Sequence, residues 1–148
     1  MLAIVHIRNL RNLIIMDEKI ENSEKIVQFW KESSNQNYET MHHLMQSKDY
    51  NWALFLGHLV IEKLLKAHYV KKHQKHPLFT HDLLRLTQKI ELVLTEEQEE
   101  WLDEISTFNL NTRYDNYKQE FRNRCTLEFT THWIKNIETL RLWLINQL

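Results

Sequence analysis

Arg122, Arg124 and His132 stand close together near the end of the chain, and their types suit work on a phosphodiester. An imidazole titrates near neutrality and can give or take the proton of a hydroxyl such as a ribose 2′-OH. A guanidinium can grip a phosphate with two parallel N–H donors. The spacing works against the combination. Nine residues separate Arg122 from His132, and seven separate Arg124 from it. On one continuous helix an offset of eight turns two side chains about 80° apart and roughly 12 Å apart along the axis. A break near Thr126, or a second copy of the chain, is needed to bring both groups onto one phosphate. The alternative is that His132 flanks an apolar seam and both arginines are ordinary solvated helix residues.

A second set of candidates lies further upstream. His58, Glu62 and Lys66 recur every four residues and share one helical stripe. Glu62 before Lys66 has the favourable orientation for a helix ion pair, worth a few tenths of a kcal/mol (about 0.2–0.5) when exposed, and it is also a candidate polar wall of a pocket. Arg113, in the loop NLNTRYDNY, either meets a ligand phosphate or forms a structural bridge to Glu62 or to Asn37. Lys71 and Lys72 belong to a segment, Lys63–His81, that holds five lysines, four histidines and no acid. Such an end attracts RNA or an acidic partner by charge, but with little aromatic interleaving it is a poor stacking platform for single strands. Its histidines lack a recognisable metal-ligand spacing, so neither a metal nor a cofactor is expected.

These residues need helices to hold them. Tyr50–Lys75 reads as one long helix with Asp49 as N-cap. Ala53, Leu56, Val60, Leu64 and Ala67 form one apolar stripe, Trp52, Phe55, Leu59 and Tyr69 a second, and Ile61 with Leu65 a third, so this helix should sit in the middle of a bundle. A first helix is predicted from Ser23 or Glu24 to Gln46, with a polar middle, Glu32–Asn37, facing a wet groove. The turn Ser47-Lys48-Asp49 permits only an antiparallel return. Pro77 breaks the pattern; Thr80 then caps a helix from His81 to about Leu92, and Thr95 with Gln98 has the form of a capping box. The acidic outer face from Glu91 to Glu104 is expected in solvent rather than against the basic end. Asn109–Tyr117 reads as an irregular loop, and a terminal helical segment from about Lys118, interrupted near Thr126, closes the bundle with Phe129, Trp133, Ile137, Leu140, Leu144 and Leu148.

Composition agrees. One glycine and one proline in 148 residues point to an all-α fold: an antiparallel up-and-down bundle of about five helices around a long central helix. The lone Cys125 excludes an internal disulfide framework and fits a reducing compartment. A net charge of −1 predicts no nucleic-acid or membrane partner by itself. No apolar run approaches the roughly 20 residues of a membrane span, so the expected location is cytoplasmic. Residues 1–15 are apolar and basic before an abrupt change at Met16-Asp17-Glu18; residues 1–22 read as an extension, either upstream of a true start at Met16 or a short docking helix, and 23–148 as the bundle.

Three segments together, HLVIEKLLKA at His58–Ala67, THDL at Thr80–Leu83 and NTRYD at Asn111–Asp115, resemble the HEPN family, the higher eukaryotes and prokaryotes nucleotide-binding domain. Their order matches over roughly Lys25 to Leu148. The resemblance implies an antiparallel bundle, frequent homodimers, and a role in RNA cleavage or beside a minimal nucleotidyltransferase. RNA-cutting members separate an arginine and a histidine by four to six residues, whereas this chain leaves seven or nine. Toxin members that are modified by their partner carry a tyrosine two residues after the histidine, where this chain has Ile134. The expectation is therefore a nucleotide- or RNA-binding module, or a nucleotidyltransferase partner, without robust catalysis. The competing expectation is a metal-independent ribonuclease toxin of a toxin–antitoxin or defence system, acting through Arg122 or Arg124 and His132.

Overall fold

With so few backbone breakers, only turn chemistry interrupts helix propagation, and six helices form. The computed structural model describes residues 19–148. Along the chain α1 spans Ser23–Gln46, α2 Tyr50–His73, α3 Leu83–Ile90, α4 Glu96–Ser106, α5 Asp115–Arg124 and α6 Leu127–Asn146, with a 3₁₀ turn at Leu110–Thr112. No strand occurs among the described residues. The all-α bundle is as expected; the sixth helix arises because the terminal segment breaks at Cys125-Thr126, where Thr126 caps α6 by accepting from Phe129 N. The expectations of a start at Met16 and of a short docking helix before it fall outside the described residues.

α2 is the hub. It packs on α1, α3, α4, α5 and α6, and 14 of its 24 residues are buried, which a helix covered on one side would not need. Two of the three stripes are inside, with Leu56 alone half-buried: Ala53, Leu56, Val60, Leu64 and Ala67, and Ile61 with Leu65. The second is the outer rim, because Phe55 is buried but Leu59 and Tyr69 are half-buried and Trp52 is exposed. Gly57 marks a close approach. A Cβ there would lie 2.5 Å from Ile137 Cδ1 of α6 and 3.2 Å from the Met41 sulfur of α1, so the missing side chain lets three helices meet. The seam of α6 buries Ile137, Leu140 and Leu144 against α2.

Several local expectations are corrected. Asp49 precedes α2, but its side chain makes no cap bond; Oδ2 instead accepts from Ser47 Oγ at 2.6 Å within the turn. Asp82, not Thr80, caps α3 by accepting from Arg85 N at 3.1 Å, so the helix starts two residues later than expected and ends at Ile90, with Glu91 left-handed. A carboxylate outcompetes the hydroxyl for this place, and Thr80 Oγ1 accepts from Asp82 N instead. The capping box of Thr95 and Gln98 forms as read. The loop Asn109–Tyr117 is less irregular than expected: it contains the 3₁₀ turn, and α5 begins at Asp115.

Candidate functional site

The polar stripe of α2 points inward. His58, Glu62 and Lys66 are 0%, 4% and 8% exposed, so the helix ion pair of Glu62 and Lys66 is a buried one. Glu62 Oε1 accepts from Lys66 Nζ at 2.7 Å and Oε2 lies 2.9 Å from His81 Nδ1. Burial alone would push the Glu62 carboxyl up, but the bonds from Lys66 and His81 outweigh it and hold the group below its ordinary range. Lys66 also sits 5.5 Å from the centre of the Trp30 ring. Burial pushes the pKa of His58 down. Its Nε2 lies 3.1 Å from the carbonyl oxygen of His81 and must therefore carry the proton, which leaves Nδ1 buried without a partner.

This network holds one wall of a cleft of about 340 Å³ formed where the start of α3, the end of α4 and the 3₁₀ turn converge. His81, Asp82, Asp103, Asn109, Thr112 and Arg113 line it. The wall is tied together locally. Leu83 N donates to Ser106 Oγ at 3.2 Å, joining α3 to α4, and the Tyr117 hydroxyl donates to Thr107 O at 2.8 Å, joining α5 to the end of α4. Asn109 is 2% exposed and caps the 3₁₀ turn: its Oδ1 accepts from Asn111 N at 3.2 Å. That bond fixes the amide orientation, so the unpartnered Nδ2 is a donor left over. Arg113 Nε is likewise buried without a partner, while the guanidinium lies 5.0 Å from the centre of the Tyr117 ring. Arg113 bridges neither to Glu62, which is occupied by Lys66 and His81, nor to Asn37, whose Oδ1 is itself buried and unpartnered on α1.

Arg122, Arg124 and His132 are divided between two helices, with the break between them. Arg124 donates to Glu104 at 3.1 Å and lies 5.3 Å from the Phe129 ring centre. Arg122 is exposed on the last turn of α5. His132 is exposed on α6, where Asn136 Nδ2 lies 3.4 Å from its Nε2. Among the described residues no bond joins either arginine to the histidine.

The basic end of α2 is engaged rather than simply solvated. Lys72 donates to Ile90 O at 3.1 Å and pairs with Glu91 at 2.5 Å, His73 Nε2 meets Lys89 O at 2.7 Å, and Lys71 donates to Leu148 O. These are the orphan carbonyls at the end of α3 and of the chain, and cations satisfy them well. Within the acidic stretch, Glu91 thus meets the basic end after all, and Glu104 meets Arg124, while Glu96, Glu97, Glu99 and Glu100 stay exposed. His68 is buried, with Nε2 2.8 Å from Leu144 O. The polar middle of α1 does face a groove, of about 460 Å³, that reaches Arg141 and Ile145 of α6.

The three segments that carried the resemblance, on α2, before α3 and after α4, therefore converge on one network and one cleft. The family model of the HEPN domain matches residues 27–148. The chain belongs to the HEPN family. Neither the curated proteins nor the solved structures contain a match to it. Of the cleft residues of this HEPN domain, sequence reasoning singled out Arg113, and Glu62 behind it. It passed over His81 as one of several histidines and Asn109 as a turn former; THDL and NTRYD, quoted for the resemblance, were the signal that both segments matter.

Proposed function

We propose that this HEPN domain is a binding module that takes a nucleotide or a stretch of single-stranded RNA in the cleft of His81, Asn109 and Arg113, without cutting it. The observation that carries this reading is the pair of buried, unpartnered donors, Asn109 Nδ2 and Arg113 Nε, on the wall of a cleft large enough for one nucleoside. A buried polar group without a partner costs about 1–3 kcal/mol, which a ligand acceptor recovers. Equilibrium binding of mixed nucleotides and of short RNA to the purified chain, beside Asn109→Asp, tests it. Binding that weakens in the variant is expected; no binding to either probe sinks the reading.

The ribonuclease reading has one observation in its favour: the helix does break between the arginines and His132, and Arg122 and His132 are both exposed. It requires RNA cleavage that survives a chelator and disappears in His132→Ala. Against it stands Arg124, already held by Glu104 and Phe129. Association with a second copy or with a minimal nucleotidyltransferase belongs to the same proposal, and light scattering of the chain alone and mixed with such an enzyme decides each.

A further inference from the structure

The cleft is poorly suited to a phosphate as its main cargo. Asp82 and Asp103 face it together with one guanidinium and one imidazole, so it has no excess of positive charge for a dianion. What it does have is a set of donors and acceptors with capacity to spare. Its lining includes two unspent donors, Asn109 Nδ2 and Arg113 Nε. It also includes the Asp103 carboxylate, exposed and without a hydrogen bond or ion pair among the described residues. The second carboxylate, Asp82, accepts from Arg85 N through Oδ1 as the cap of α3.

We infer that the cleft reads a guanine base, with Asn109 and Arg113 donating to the O6 and N7 acceptors and Asp103 accepting from N1–H and the 2-amino group. This deepens the nucleotide-binding reading above and rests on it. Guanine offers two neighbouring acceptors on one edge and two neighbouring donors on the next. Adenine offers one acceptor and one donor where the wall has two donors, and the Asn109 oxygen that would take the adenine amino proton is engaged by Asn111. A volume of about 340 Å³ has room for one base with its ribose. Tyr114, next to Arg113 in the chain and 86% exposed, keeps a ring free on the same loop for a flanking base to stack on.

The test is equilibrium binding of guanosine, inosine, adenosine, cytidine and 5′-GMP to the full chain, repeated with Asp103→Asn and Asn109→Asp. Asp103 is exposed and its exchange leaves the fold intact, whereas Asn109→Asp keeps the acceptor to Asn111 and removes the donor; circular dichroism checks both. Expected are guanosine binding about tenfold or more tighter than adenosine, weaker inosine binding for want of the 2-amino group, little gain from the 5′-phosphate, and loss of the guanosine preference in Asp103→Asn. Equal affinity for all four nucleosides, a preference for cytidine or adenosine, or affinity that appears only with the phosphate would overturn the guanine assignment and leave nucleotide binding standing. An intact preference in Asp103→Asn would overturn it equally. Failure of every nucleoside, of 5′-GMP and of RNA to bind removes both readings.

Discussion

The cleft behind Glu62 and the junction between α5 and α6 contain the same kinds of residues, an arginine, a histidine and nearby acids, yet they differ in what has been left unspent. At the junction Arg124 is consumed by Glu104 and Phe129, and Arg122 and His132 stand in solvent, each on its own helix. Behind the cleft Glu62 is consumed by Lys66 and His81, but among the lining residues the donors Asn109 Nδ2 and Arg113 Nε are buried and free. Residue type marks a possible chemistry; the accounting of hydrogen bonds decides where a ligand is still needed.

The largest effect should come from the buried side of this comparison. Glu62→Ala strands the Lys66 ammonium in the core, and a loss of about 3–5 kcal/mol in denaturant unfolding is expected; a loss below about 1 kcal/mol would show that the network is surface-like after all. Next comes acid. His58 and His68 are both pushed below the ordinary histidine value of 6.5 by burial. The unfolded chain therefore binds more protons between the lowered values and 6.5, and stability falls as the pH drops through that window. Glu62, held below its ordinary 4.5, contributes stability above that value, and this is lost as pH falls further through its folded value. Melting temperatures followed downward from neutral pH should show the first loss, and His58→Gln should reduce it.

At the junction the expected effects are small. Arg124→Ala gives up a half-exposed pair with Glu104 and should cost under about 1 kcal/mol, while Arg122→Ala should stay within about 0.5 kcal/mol. A larger loss of RNA binding than of stability in either variant would move the functional centre to this end. Cys125, buried at the break with its thiol pushed up to about 12, should resist alkylation in the folded protein under mildly alkaline conditions and react once unfolded.

The same contrast explains what could be read from the residues alone. The hub helix, the bundle and the seam of α6 were legible because apolar spacing is local and repeats. The capping box was legible for the same reason. Competition between neighbours was not: Asp82 wins the cap from Thr80, and Asp49 turns back to Ser47. Long-range pairing was hidden as well. Lys71 and Lys72 look like a free basic patch until the ends of α3 and of the chain arrive beside them, and Asn109 looks like any turn residue until its amide is seen to be half used.

The tight return at Ser47–Asp49 also orders events in time. α1 and α2 are joined through three residues and can zip together early, since loop closure there costs little. α6 reaches the hub only from far along the chain; the bond between His68 and Leu144 spans 76 positions. The first hairpin should then serve as the template on which the last helix docks. Core substitutions in α6 should accordingly speed unfolding more than they slow folding, whereas those in the hairpin should do the reverse.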